Sequence, residues 1–237
     1  MDHRVLGVVG ASGGLGASTL AVALAVRAAG SVGATVALDG VFDRGGLDVT
    51  ACLEHVPGLR WTDLLDLQGE VDGADLLRSL PVDGAARVLA ARGEAPPDEV
   101  VQTCLRALSA LCALTVVDLG GSLRWAGECT DLLLVSGATA RHLADASALA
   151  AGLSRSPTPA RLVLRAARKE MVTAEEVAVH LDLPLAVTLR DDPQIVADGD
   201  RARAPGTRRG GAFVGAVDRL LAELDVQGVG DVERLGA

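Results

Sequence analysis

The sequence predicts an α/β protein with a doubly wound, mostly parallel sheet and helices on both faces. Short apolar runs alternate with longer helical patterns along the whole chain. These runs lack a strict alternation of polar and apolar residues, which indicates strands that are buried on both faces of a parallel sheet. Strands and helices in this alternating order form βαβ units, which build such a sheet.

Each element follows from its local pattern. The pattern predicts strands at Arg4–Val9, Ala34–Asp39, Ala86–Ala91, Ala113–Asp118, Leu132–Ser136, Arg161–Arg165 and Leu185–Leu189. It predicts helices near Ser18–Ala29, Pro97–Leu111, Ala140–Leu153, Ala174–Leu181 and Gly211–Leu224. Thr173 followed by Glu176 is a capping box that opens the fourth helix.

The predicted domain spans 1–226, and the Gly-rich stretch 227–237 is expected to be a flexible tail. With 237 residues, of which 49% are hydrophobic, the chain is long and apolar enough to form a core, which excludes intrinsic disorder. Residues 54–84 are less regular, with two short helical pieces around Trp61–Leu67 and Ala74–Leu80, and are interpreted as an insertion.

The net charge and the spacing of the cysteines disfavour two classes of function, nucleic-acid binding and metal binding. The formal net charge of −9 disfavours nucleic-acid binding, since an acidic surface repels phosphates. Cys52, Cys104, Cys112 and Cys129 show no metal-ligand spacing, so buried thiols are expected. No secretory signal or membrane span is predicted, and the protein is expected to be cytoplasmic.

The strongest local signal is the glycine loop VVGASGGLGAST, from Val8 to Thr19. A strand leads into the loop, and the loop opens a helix. Glycines allow a tight turn that brings backbone N–H groups close to a ligand, and a helix N-terminus favours an anion. The loop therefore predicts an anion site, although a packed turn that binds nothing has the same local pattern.

One interpretation is a dinucleotide site of the short-chain dehydrogenase type. Gly10, Gly14 and Gly16 give GxxxGxG after a strand, and Asp39 ends the second strand, where it could bind a ribose hydroxyl. Those enzymes share a Tyr-x-x-x-Lys pair. This chain has no tyrosine, and Lys169 is its only lysine. The chemistry therefore argues against this interpretation.

The stretch Ala11–Ser18 resembles the deviant P-loop GKGGxGK[ST] of MinD/ParA-type ATPases and aligns without gaps. Three later stretches also resemble that superfamily, in the correct order. They are Val36–Glu54 (second strand and switch), Leu114–Leu123 (Walker B strand) and Leu183–Pro205 (late strand and base loop). The resemblance covers nearly the whole chain and implies a P-loop NTPase fold.

The resemblance implies weak binding of ATP and Mg²⁺. The implied nucleotide-binding residues are Gly13, Gly14, Leu15, Gly16, Ala17, Ser18, Thr19, Asp39 and Asp118. Among them, Ser18 would bind Mg²⁺ through its hydroxyl, and Asp118 would act as the second-sphere carboxylate. No catalytic residue is assigned.

The chain departs from the family pattern at functional positions. Ala17 replaces the P-loop lysine, Ser12 replaces the signature lysine that reaches the partner subunit, and Val41 replaces the aspartate that positions water. The adenine-reading Asn has no counterpart in Leu162–Arg168. A cation at the transition state can contribute about 10³–10⁵ in rate, so little hydrolysis is expected.

An active ATPase that uses an unusual cation stays open as the alternative. Arg44 and Arg124 lie in the two switch-like loops and are the candidate substitutes.

The GGLGAST variant resembles most closely the TadZ/CpaE group of pilus-assembly proteins and the actinobacterial septum-site-determining proteins. The resemblance implies a homodimeric scaffold that pilus, secretion or cell-division partners recruit to a pole or septum. In that group a receiver-like domain commonly precedes the ATPase-like domain, and we expect it to be absent here or removed. The acidic residues of the last helix predict no direct membrane binding.

Overall fold

The sheet of this protein has seven strands, and all neighbouring strands pair in parallel. The structure, a computed structural model, describes residues 3–84, 86–166 and 172–226. The strands are β1 (Arg4–Gly10), β2 (Thr35–Asp39), β3 (Arg87–Leu89), β4 (Leu114–Gly120), β5 (Asp131–Gly137), β6 (Ala160–Ala166) and β7 (Leu185–Arg190). Each predicted strand is confirmed, with bounds that shift by one or two residues.

The strand order is β3-β2-β4-β1-β5-β6-β7. Strand β4 therefore lies between β1 and β2 and pairs with both. The dinucleotide-binding fold has the order 3-2-1-4-5-6, in which the first two strands are neighbours. The dehydrogenase interpretation is therefore wrong at the level of the fold, in addition to its missing tyrosine.

Helices cover both faces of the sheet, as predicted. They are α1 (Ala17–Ala29), α2 (Leu47–Thr50), α3 (Gly73–Ser79), α4 (Asp98–Ser109), α5 (Ala140–Leu153), α6 (Ala174–Leu181), α7 (Pro193–Gly199) and α8 (Ala212–Glu223). Two 3₁₀ turns lie at Trp61–Leu64 and Ala126–Glu128. The bounds of α5 and α6 agree with the prediction, whereas α2 and α7 were not predicted.

The core has two layers, one on each face of the sheet. Helices α1 and α8 pack on one face, where Leu20, Leu24, Val217 and Leu220 are fully buried. Helices α4, α5 and α6 pack on the other face. The apolar residues of α8, among them Phe213 and Leu221, are buried on this face.

All four cysteines, for which the sequence predicts buried thiols, are free. Cys104, Cys112 and Cys129 are buried as expected, whereas Cys52 is only partly buried. In the described part of the chain, no helix is long and apolar enough to cross a membrane. The predicted tail, 227–237, and Lys169 lie outside the described residues.

The irregular segment around 47–64 is organised by a buried ion pair. The Asp48 carboxylate is fully buried and accepts a 2.8 Å hydrogen bond from Arg60 Nε. Arg92 Nη2 donates to the same carboxylate at 2.6 Å. The Arg60 guanidinium also donates to the backbone carbonyls of Leu53 and Val56. One arginine therefore holds a stretch that has little regular secondary structure.

We expect Asp48→Ala to lower the free energy of unfolding by about 3–5 kcal/mol, since the substitution leaves the buried Arg60 charge without its partner. Urea titration measures this loss. Asp75→Ala is the matched control, because Asp75 pairs with Arg78 within α3 and both side chains are about two-thirds exposed. Exposed pairs contribute between about zero and 1 kcal/mol. Equal losses in the two variants would contradict a structural role for the buried pair.

Candidate functional site

A cavity of about 590 Å³ lies at the carboxyl edge of the sheet. The parallel arrangement explains its position, since the carboxyl ends of β1, β2, β4, β6 and β7 meet at this edge. All nine sequence-predicted ligand residues line the cavity. They are Gly13, Gly14, Leu15, Gly16, Ala17, Ser18, Thr19, Asp39 and Asp118. Its volume lies within the usual range for a small-molecule site, about 300–1,000 Å³.

The glycine loop connects β1 to α1 and borders this cavity. Gly14 and Gly16 have φ angles of 79° and 84°, the left-handed region that favours glycine. Gly16 is the N-cap of α1, and no side chain caps this end. The first turn of α1 contains no acidic residue. The N–H groups at this end therefore lack a side-chain partner, and such a terminus binds anions.

Ser18 and Asp118 bring two oxygen ligands together beneath the loop. Burial raises the pKa of Asp118 above its ordinary value, and the Ser18 side chain, the Gly120 N–H and the Arg44 charge oppose this rise. Gly120 N donates to the carboxylate at 3.0 Å. Hydroxyl and carboxylate oxygens fit Mg²⁺, which binds proteins through one or two such groups together with phosphate oxygens and water.

Magnesium would need a phosphate ligand here. Among the described residues, no group of three or more His, Cys, Asp or Glu side chains could hold a metal. Ser18 and Asp118 would therefore hold Mg²⁺ only together with phosphate oxygens. When bound, the ion would neutralise phosphate charge.

The Asp39 carboxylate accepts hydrogen bonds from the backbone around it. One carboxylate oxygen accepts from Val41 N at 3.0 Å, and the other accepts from Leu47 N at 2.6 Å and from Ala91 N at 3.1 Å. Burial raises the pKa of Asp39 to about 6, although the three N–H donors favour the charged form. Asp39 therefore fixes the loop that follows β2 and the segment that follows β3.

Val41 occupies the position where the family pattern has a second carboxylate. Its side chain packs on Gly120, where a Cβ would lie 2.6 Å from Val41 Cγ2. The loop after β2 and the end of β4 are thus joined by an apolar contact. This part of the cavity has no carboxylate from position 41 to position a water molecule.

Three arginines bring positive charge to the cavity, whereas the glycine loop from Val8 to Thr19 contains no charged side chain. Arg44, Arg165 and Arg190 line the cavity. Arg44 is a predicted substitute cation, and the structure places it here. Arg124, the other candidate, instead pairs with Asp98 at 2.7 Å and lies over the Trp125 ring at 5.2 Å, away from the cavity lining.

Arg165 and Arg190 were missed by the sequence reasoning. Each lies at the carboxyl end of a predicted strand, and that placement was a usable signal. Carboxyl ends of parallel strands share an edge with the glycine loop.

An aromatic cluster joins the two loops beside the cavity. Phe42 contacts Trp61 and Trp125 edge to face, with ring centroids 6.0 Å and 5.9 Å apart. Trp61 Nε1 donates to the carbonyl of Asp39 at 2.8 Å. Both tryptophans are buried within the chain.

Ser12 bonds within its own chain. Its Oγ donates to Asp145 Oδ2 on α5 at 2.7 Å. The residue at the signature-lysine position therefore connects the glycine loop to α5.

Solved structures with this architecture include MinD and ParA proteins. A ParA family ATPase from Chlorobium tepidum matches with a TM-score of 0.77 and 17% identity over 92% of this chain and 97% of that chain. MinD from Aquifex aeolicus matches with a TM-score of 0.74 and 16% identity, over 94% and 97% of the two chains. The chain has the MinD/ParA fold. MinD from Pyrococcus horikoshii, complexed with Mg-ADP, shares the MinD/ParA fold with it at a TM-score of 0.73, 17% identity, and 94% and 96% coverage.

The curated relatives that the chain matches are uncharacterized proteins. An uncharacterized protein of Mycobacterium tuberculosis, in strains CDC 1551 and H37Rv, is 31% identical over 234 residues. The match covers 95% of this chain and 65% of the relative, so this chain spans less than two-thirds of that protein. No protein-family model matches the chain.

The raised pKa of Asp39 predicts a pH-dependent stability. Since the folded-state pKa lies above the ordinary value of 3.8, the folded state binds a proton more tightly than the unfolded state between about pH 4 and pH 6. This stabilisation is present at low pH and is lost as the pH rises through that window. A rise from 3.8 to about 6 corresponds to about 3 kcal/mol.

Asp39→Asn cannot titrate, so we expect the wild type's stability relative to the variant to fall by up to about 3 kcal/mol from pH 4 to pH 7. Urea titrations of both proteins across this range, with EDTA present, measure the difference. A difference that stays constant with pH would contradict the assignment.

Proposed function

We propose that this protein is a scaffold or localisation protein with a degenerate nucleotide site that binds a phosphate-bearing ligand weakly and hydrolyses it little or not at all. The observation that carries the proposal is that backbone N–H groups engage each carboxylate lining the cavity. Asp39 accepts three such bonds and Asp118 accepts one. The Asp192 carboxylate accepts from Gln194 N and Phe213 N.

A general base needs a free lone pair within hydrogen-bonding distance of the attacking water. Asp39 is the weakest candidate, because three backbone N–H groups use three of the about four acceptor sites of its carboxylate. Asp118 is adjacent to Ser18 and suits a role near Mg²⁺. The glycine loop, in contrast, keeps its left-handed glycines and an uncapped helix terminus, which supports anion binding without hydrolysis.

The proposed cellular role follows the resemblance of the loop. The GGLGAST variant is similar to TadZ/CpaE-like and actinobacterial septum-site-determining proteins, which supports a homodimer that serves pilus, secretion or septum machinery. Partner proteins would recruit it to a pole or septum. A solved complex of Aquifex aeolicus MinD with MinC illustrates that a protein of this fold binds a protein partner.

Restoring the P-loop lysine tests the phosphate site. We expect Ala17→Lys to bind ATP with Mg²⁺ about 10- to 100-fold more tightly than the wild type, because a charge-assisted hydrogen bond contributes roughly 1.5–3 kcal/mol. Calorimetric titration measures both affinities. Ala222→Lys, at an exposed position near the end of α8, is the control that adds the same charge elsewhere. No heat from either the wild type or Ala17→Lys at millimolar ATP would show that the loop is not a phosphate site.

A second candidate function, an ATPase with an unusual cation, is favoured by one observation: Arg44 lines the cavity and its charge acts on Asp118. Phosphate release assays separate the two functions. We expect no turnover above the protein-free rate. Turnover that disappears in Asp118→Ala would instead support the ATPase.

Dimerisation is expected to be independent of ATP, since Ser12 bonds to Asp145 of its own chain and lacks the reach of a lysine. Sedimentation velocity with and without Mg²⁺–ATP tests this expectation. The sedimentation coefficient should be that of a dimer in both conditions, and it should be unchanged in Asp118→Ala. A monomer that dimerises only when ATP is added would refute it.

A further inference from the structure

Arg165 lies against the glycine loop. It belongs to β6, which lies beside β5 and ends at the edge that carries the loop. Its Nη1 donates to the carbonyl of Leu15 at 3.3 Å. A Cβ at Gly16 would lie 2.9 Å from the same nitrogen. The guanidinium therefore sits beside the residue that caps α1, next to the N–H groups that favour an anion.

The charge of Arg165 is neutralised only by an exposed ion pair with Asp191. Its Nε and Nη2 donate to Asp191 Oδ1 at 3.1 Å and 2.8 Å. The Asp191 side chain is 65% exposed and that of Arg165 is 38% exposed, so water screens the pair and it contributes little to stability. A guanidinium has five N–H donors, and the bonds seen among the described residues use three of them. A multiply charged anion can therefore compete with Asp191 for this arginine.

The other cavity arginines are less suited to the same role. Arg44 lies on the Asp118 side of the cavity, pairs with Asp43 at 3.7 Å and has a side chain that is 67% exposed. Arg190 lines the cavity from the end of β7. In the part of the chain that the structure describes, neither donates a hydrogen bond to the loop, whereas Arg165 does.

We propose that Arg165 supplies the phosphate-binding cation that Ala17 cannot, so that a di- or triphosphate is held between the loop N–H groups and a guanidinium from β6. Asp191 holds this guanidinium in place when no anion is bound. Arginine suits the role because its planar fork binds two phosphate oxygens at once. The proposal rests on the phosphate site proposed above and assigns the residue that makes it work.

The first test is the loss of the cation. Arg165→Gln should weaken binding of inorganic tripolyphosphate with Mg²⁺ about 10- to 100-fold in calorimetric titration. Asp191→Asn should bind it more tightly than the wild type, because the competing carboxylate is gone. Arg155→Gln changes the net charge equally at an exposed position after α5 and should bind like the wild type. Thermal unfolding of each variant checks that the fold is intact.

A double-mutant cycle gives the decisive readout. If Arg165 replaces the lysine, Ala17→Lys should restore the affinity lost in Arg165→Gln, and its gain should be larger there than in the wild type. A purely structural role for Arg165 would give the same gain in both backgrounds and would overturn the inference. Equal binding by the wild type and Arg165→Gln would overturn it as well.

If the cavity binds no phosphate at all, the calorimetric titrations give a different set of results. In that case tripolyphosphate and ATP produce no heat with the wild type, Asp191→Asn or Ala17→Lys, and both the proposed function and this inference fall. Binding of ATP without binding of tripolyphosphate would show that the base, and not the phosphate, provides the affinity. That outcome would overturn the role of Arg165 alone.

Discussion

The buried carboxylate of Asp39 is the constraint on which the carboxyl edge of the sheet depends. It stands at the end of β2, opposite Asp118 in the strand register. Its two oxygens hold the loop after β2, the start of α2 and the segment that follows β3, while its carbonyl accepts from Trp61. Leaving buried donors unpaired costs about 1–3 kcal/mol each, so this one residue fixes several segments that have little regular structure.

A carboxylate that accepts three backbone hydrogen bonds has little capacity left to accept a proton from water. The positive charge at the cavity also comes from outside the glycine loop. The glycine loop contributes backbone N–H groups but no cation. The arginines that line the cavity come from the loop after β2 and from the ends of β6 and β7. The site is thus divided between the loop and distant strands. Under the proposed function, its affinity for phosphate would depend on how closely the ends of β6 and β7 approach the loop, and therefore on sheet packing.

Much of the fold could be predicted from the sequence because its elements are long and strongly patterned. The seven apolar runs identify the strands, and the capping box at Thr173 fixes the start of α6. Helix α2 has four residues, too few to show a helical period. Helix α7 was missed although it has seven residues, as many as α3, which was predicted. The strand order could not be predicted from local sequence patterns, because the position of β4 between β1 and β2 results from tertiary packing.

The residues of the candidate site likewise fall into those that the sequence predicts and those that it does not. Its nine loop and strand-end residues follow from contiguous motifs, and the structure brings them together around one cavity. Arg165 is separated from Leu15 by 150 positions along the chain, so no short motif joins them. The tryptophans show the same limit, because burial of a side chain depends on what packs over it and not on its neighbours in sequence.

The aromatic cluster has a consequence for spectroscopy. The chain contains two tryptophans and no tyrosine, and both indoles contact Phe42 beside the cavity. Intrinsic fluorescence excited at the red edge of the protein absorbance band therefore comes from this one place. A change in emission reports the packing of the two loops that hold the cluster, even when the rest of the sheet keeps its native structure.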